Sequence, residues 1–181
     1  MPEDQNTSTE FITKARGFLR DEYVPKIERC LERLTDEQIW WRPNEDSNSV
    51  GNLLLHLCGN ARQWIVCGLG GEEDQRVRQS EFDERRVIPS KELLSKTKET
   101  LSIVDATLAQ FDDSRLLDTF QIQGTSVTAM EAIFHVTEHF SMHTGQIILL
   151  TKLQTSSDLH FYDFEEGAPV HRWHSQTAHS S

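Results

Sequence analysis

FHVTEHFSMHTGQI, residues 134–147, carries histidines at positions 135, 139 and 143. On an α-helix each residue advances about 100° and rises about 1.5 Å, so residues four apart share a face about 6 Å apart along the axis. Met130, Ile133, Phe134, Phe140, Ile147, Ile148 and Leu150 keep helical spacing around the histidines. A long helix is therefore expected, capped at Thr125 or Ser126, with Glu131 near its start and its end near Leu153.

Working outward, three further apolar-periodic segments precede it. Phe11, Ala15, Phe18, Leu19, Tyr23, Ile27, Cys30, Leu31 and Leu34 predict a helix over about 9–34, kinked near Glu22 because Pro25 lacks a backbone donor. A short helical turn and a polar loop follow. Ser49 caps a second helix whose stripe is Val50, Leu53, Leu54, Leu57, Ala61, Trp64 and Ile65, stopping at the glycines 68, 70 and 71. The stretch Glu72–Ile88, with Arg76, Arg78 and Arg85, reads as a solvated loop, the alternative being a lid that holds an anion. Ser90 is expected to cap the third helix, after Pro89. LDTFQIQG, just before the fourth helix, reads as a small extended segment or hairpin. The fold class expected is all-α, a four-helix bundle. Residues 1–155 form it, and 156–181 are an extension anchored by Phe161, Tyr162 and Phe164, with its last dozen residues frayed.

Composition excludes several functions. A net charge of -11 repels phosphate backbones, so nucleic acid is not expected as a partner. No stretch approaches the roughly 20 apolar residues of a membrane helix. The polar start MPEDQNTSTE has no signal-peptide pattern, and a cytoplasmic location is expected. Cys30, Cys58 and Cys67 are odd in number and form no CxxC pair, which predicts buried or idle thiols. His171, His174 and His179 read as solvated tail residues.

Two imidazoles at i and i+4 can grip one ion, whereas His135 and His143 stand about 12 Å apart along the helix. Helix four therefore offers one pair, 135/139 or 139/143. His56, mid-helix in GNLLLHLCGN, is the natural third donor. It lies on a polar strip, Asn52, His56, Asn60 and Gln63, that needs partners if buried. Three neutral imidazoles and a free position make an open metal site suited to zinc, nickel, iron or manganese. Gln146, one turn beyond His143, is placed to orient a ligand, and Glu138 points away.

LTDEQIWWRPNEDSNSVGNLLLHLCGNARQWI, followed by HVTEHFSMHTGQI, resembles the DinB-like superfamily, grouped with the YfiT-like metal-dependent hydrolases. The resemblance spans about 11–153. It implies a four-helix bundle of up-down-down-up type and a metal triad that matches His56, His139 and His143. His135, Asn52, Asn60 and Gln146 then surround that triad. It also implies a homodimer, a small-molecule substrate and a zinc or nickel cofactor, with a small thiol such as mycothiol or bacillithiol as cosubstrate in characterised relatives. Many relatives carry Arg after the last histidine, where this chain has Thr144. Three readings compete: a metal-dependent thiol S-transferase or hydrolase, a non-catalytic metal-binding or stress protein, and an interaction module whose histidines only pack.

Overall fold

The computed structural model describes residues 7–173. Their helices are α1 (Thr7–Gly17), α2 (Val24–Leu31), α3 (Asp36–Trp40), α4 (Val50–Ala61), α5 (Arg78–Asp83), α6 (Ser90–Gln110) and α7 (Ala129–Thr155). Two antiparallel hairpins complete the architecture, β1 (Thr119–Ile122) with β2 (Thr125–Thr128) and β3 (Tyr162–Glu165) with β4 (Ala168–His171). The all-α expectation thus holds broadly, and the extended segment before the last long helix is the β1–β2 hairpin. No helix among the described residues is long and apolar enough to cross a membrane.

Local chemistry fixes the helix starts. Thr35 with Gln38, Ser49 with Asn52, and Thr128 with Glu131 each form a reciprocal capping box at the head of α3, α4 and α7. Each cap of this kind contributes about 1 kcal/mol. Two starts differ from expectation. Thr125 and Ser126 do not cap α7, because they pair with Ile122 and Gln121 in the hairpin. Gln123 and Gly124 both take positive φ (53° and 76°), the two-residue turn that closes such a hairpin, and this passes the cap on to Thr128. Ser90 is the first residue of α6 rather than its cap; Pro89 holds that place, and the Ser90 N–H donates to Asp36 Oδ1 at 2.8 Å.

The expected kink is a π-helical turn, Phe18–Tyr23, between α1 and α2. Pro25 has no N–H to give the Asp21 carbonyl, and the Trp173 indole Nε1–H donates to that carbonyl at 3.1 Å. Lys26 lies over the Trp173 ring at 4.2 Å, and the Arg29 guanidinium donates to the carbonyls of Leu159, His160 and Arg172. Residues 170–173 are therefore not frayed: β4 pairs with β3, and Trp173 is buried. The anchors of this segment are Leu159, Phe161 and Trp173, whereas Tyr162 is half-exposed and Phe164 is 72% exposed. The rest of the expected frayed end, with His174 and His179, lies outside the described residues.

The core between the long helices is filled by fully buried Ile27, Leu54, Leu57, Ile65, Leu93, Leu108, Ile133, Phe140 and Ile147. Cys30 and Cys58 are buried free thiols, and burial pushes Cys30 up to about 11. Gly51 is needed where α4 meets α3: a Cβ there would stand 2.7 Å from the Trp40 ring. On the neighbouring faces of α4 and α7, residue 56 meets 139 while residue 60 meets 135, so the two helices run antiparallel.

Replacing Trp173 tests whether the C-terminal hairpin belongs to the cooperative fold. Trp173→Ala is expected to cost about 3 kcal/mol or more in urea denaturation. Trp173→Phe, which removes chiefly the bond to Asp21, should cost about 1 kcal/mol. Unchanged midpoints in both variants would show that the hairpin is not part of that fold.

Candidate metal centre

His56 from α4 and His139 and His143 from α7 are all buried, and one nitrogen of each lies within 4.8 Å of the others. His139 Nε2 stands 3.1 Å from His56 Nε2 and 3.2 Å from His143 Nε2. Two donors bound at about 2.1 Å to one tetrahedral ion stand about 3.4 Å apart, so these separations fit a shared ion.

The outer nitrogens settle which atoms carry protons. His56 Nδ1 lies 2.9 Å from Glu81 Oε2. A carboxylate only accepts, so Nδ1–H donates and Nε2 keeps its lone pair. Arg76 Nη2 also approaches Nδ1, at 3.1 Å. An unprotonated Nδ1 that accepted from it would set its own lone pair against the carboxylate, and Arg76 already donates twice to Glu81. His143 Nδ1–H donates to Gln146 Oε1 at 2.7 Å, which likewise turns the Nε2 lone pair inward.

His139 then faces two lone pairs with one nitrogen. A proton on its Nε2 could serve only one of them. Its other nitrogen, Nδ1, is buried without a partner. Burial first, and then the neighbouring His143, His56 and His135, push the His139 imidazolium down to about 3. Burial also lowers His143 and His135, in the first case against the Gln146 bond. Burial thus disfavours the charged form of His139 and His143, and the inward Nε2 atoms make a donor set that fits a divalent cation.

Glu81 is the residue that sequence reasoning missed. Residues 72–88 are not simply a solvated loop: α5 folds back onto α4 and buries Glu81 there. Arg76 Nε and Nη2 donate to the two Glu81 oxygens at 2.7 and 2.8 Å, and the Arg76 side chain is only 6% exposed. Burial alone would raise the Glu81 carboxyl, but the bonds from Arg76 and His56 outweigh it and hold the group below its ordinary value. The Phe82 ring packs 4.7 Å from that of His56. Gly59 makes room for this arrangement, since a Cβ there would overlap Glu81 Oε1. Arg78 and Arg85 stay exposed.

The polar strip on α4 finds partners for most of its groups, though Asn60 Oδ1 stays buried without one. Asn52 donates to the carbonyls of Glu81 and Glu84 at 2.8 and 3.2 Å, so it holds α5 rather than touching the histidine cluster. Asn60 donates to His135 Nε2 at 3.1 Å, and Trp64 packs against the same ring at 4.1 Å. His135 is thereby turned away from the point where the other three meet. Gln63 accepts from Arg76 and donates to Asp74. Glu138 is exposed, and Thr144 is buried with its hydroxyl unpartnered. A cleft of about 560 Å³ runs between α4, α6 and residues 74–88, lined by Arg76 and Glu81 but by none of the three histidines. His56, His139 and His143 are only 6, 8 and 9% exposed.

The model of a family described as "Protein of unknown function (DUF1572)" matches residues 6–167. A conserved protein from Enterococcus faecalis has a crystal structure similar to this one at a TM-score of 0.69 and 16% identity, over 80% of this chain and 97% of that one. A DinB-like protein from Bacillus cereus ATCC 10987 is similar at a TM-score of 0.61 and 17% identity, over 79% and 93%. No curated protein matches. At these identities the likeness carries the fold, and the DinB-like resemblance read from the sequence is borne out there.

The buried imidazoles set a pH dependence for the protein in chelator. An unfolded histidine takes a proton near pH 6.5 that folded His139 refuses until about 3. The unfolded state therefore binds more protons as pH falls through that window, and stability drops by about 1.4 kcal/mol per pH unit for each such proton. Urea unfolding between pH 7 and 5 should show a shallower slope in His139→Gln than in the parent. Equal slopes would mean that His139 is protonated in the folded state.

Proposed function

The chain belongs to the DUF1572 family, and on that footing we propose that it is a metal-dependent enzyme, a thiol S-transferase or hydrolase, whose ion is held by His56, His139 and His143. One observation carries this reading: three imidazole Nε2 atoms, two with their protons fixed on the far side, face one another at 3.1 and 3.2 Å. Zinc or nickel suits the donors best, with iron or manganese next. The four long helical stretches are read as a four-helix bundle of up-down-down-up type, with 156–181 as its extension. The exposed apolar residues Met130, Phe134, Met142, Leu149 and Leu153 of α7 support a homodimer, as the face that a second copy would cover. The working location is read as the cytoplasm.

A divalent ion held by His56, His139 and His143 would supply Lewis acidity to a thiol, water or carbonyl. The protein contributes the rest. Glu81 and Gln146 keep the His56 and His143 rings in the metal-ready tautomer. The low exposure of all three rings excludes bulk water and strengthens the electrostatics at that point. Thr144 brings no cation, so a substrate anion is not anchored there.

A second reading, an ion that only clips α4 to α7, is favoured by the low exposure of the three histidines and by their absence from the lining of the 560 Å³ cleft.

Elemental analysis after growth in metal-replete medium should find about one ion per chain, lost in His56→Ala, His139→Ala and His143→Ala and kept in His135→Ala. Chelation should lower the Tm, since an ion at 1,000 times its Kd adds about 4 kcal/mol to the folded state. A parent protein without metal would leave histidines that merely pack. Adding a small thiol to the cobalt-loaded protein should change its visible spectrum if a position is open. An unchanged spectrum would favour the clip.

A further inference from the structure

Arg76, Glu81 and Gly59 form a device that the ligand set alone does not require. The Glu81 carboxylate is spanned by both donors of Arg76 on one side and by the His56 Nδ1–H on the other. Every partner in this chain is buried, so α5 cannot lift from α4 without breaking it. Asn52 and Arg42 tie the same segment down through the carbonyls of Glu81 and Glu84. The seat for the carboxylate on α4 exists because residue 59 has no side chain.

We infer that Glu81 is a positioning residue for His56, and that docking of segment 76–84 onto α4 and ion binding at the three histidines reinforce each other. This rests on the metal reading above. With the segment docked, the carboxylate holds the His56 proton on Nδ1, aims the Nε2 lone pair at the shared point and makes that nitrogen a better donor. With the segment lifted, His56 is free to rotate and to place its proton on Nε2. Coupling between two equilibria is reciprocal, so whatever affinity docking adds for the ion, the ion adds for docking.

The test uses the full chain and zinc alone. Zinc affinity at pH 7 is read by competition with a chromophoric chelator, and hydrogen exchange of the amides in 76–84 is read with and without zinc. Glu81→Gln keeps the shape of the side chain but removes its charge, whereas Gly59→Ala keeps the carboxylate and pushes it off its seat. Circular dichroism checks that both variants fold. Both should bind zinc 10- to 100-fold more weakly than the parent. In the parent, zinc should slow exchange in 76–84 by a comparable factor, and both variants should lose that protection. A purely structural role for Glu81 would lower the melting temperature without making protection of 76–84 depend on zinc. If the parent binds zinc but both variants match it within twofold, or if zinc leaves exchange in 76–84 unchanged, the coupling is overturned while the three-histidine site stands. If the parent binds no zinc, the metal reading itself fails, and the coupling with it.

Discussion

Two lone pairs cannot face one another at about 3 Å in a protein interior without something between them or a proton on one side. His56 and His143 each turn a lone pair toward His139, because their protons are committed to Glu81 and Gln146. Neither residue gains by relaxing, since each would lose a buried hydrogen bond, at a cost of about 1–3 kcal/mol for the group left unsatisfied. The interior of this fold is thus organised around a point that asks for positive charge. Burial disfavours the charged imidazolium of His139 and of His143 beside that point.

The elements nearest this point serve it. Helices α4 and α7 lie antiparallel, so one polar strip can face another along several turns. Away from the three-histidine point the strips bond to each other, as Asn60 Nδ2 does to His135. The α5 segment crosses over the α4 strip and contributes a carboxylate, Glu81, that contacts His56 of the cluster. Its charge is balanced by Arg76, so neither ion is buried alone, the situation in which a buried ion becomes most costly. The C-terminal hairpin works elsewhere, where the Trp173 indole donates to the Asp21 carbonyl, one helical turn before Pro25.

Much of this was legible in the sequence. Helical periodicity located the long segments, and Pro25 marked the break in the first. The 12 Å rise between His135 and His143 showed that only one pair on α7 could serve, but helical geometry alone left 135/139 and 139/143 equivalent. What separates them is lateral: Asn60 and Trp64 claim the His135 ring, a relation between two helices that no single-helix argument contains. The cap at Thr128 was missed because hairpin register overrode local preference at Thr125 and Ser126, and the cap of α6 falls on Pro89, one residue before the expected Ser90. Glu81 was missed because it stands in a polar stretch without periodicity, where a buried carboxylate looks the same as a solvated one. Two signals pointed that way: a strip on α4 with more polar groups than α7 could satisfy, and a glycine at 59 inside an otherwise well-formed helix.

Anomalous diffraction from crystals grown with zinc, collected on both sides of the zinc absorption edge, tests the central claim most directly. The account predicts one strong peak about 2.1 Å from Nε2 of His56, His139 and His143, with His135 still turned onto Trp64. A peak that includes His135 in place of His143, or none at that point, would contradict it.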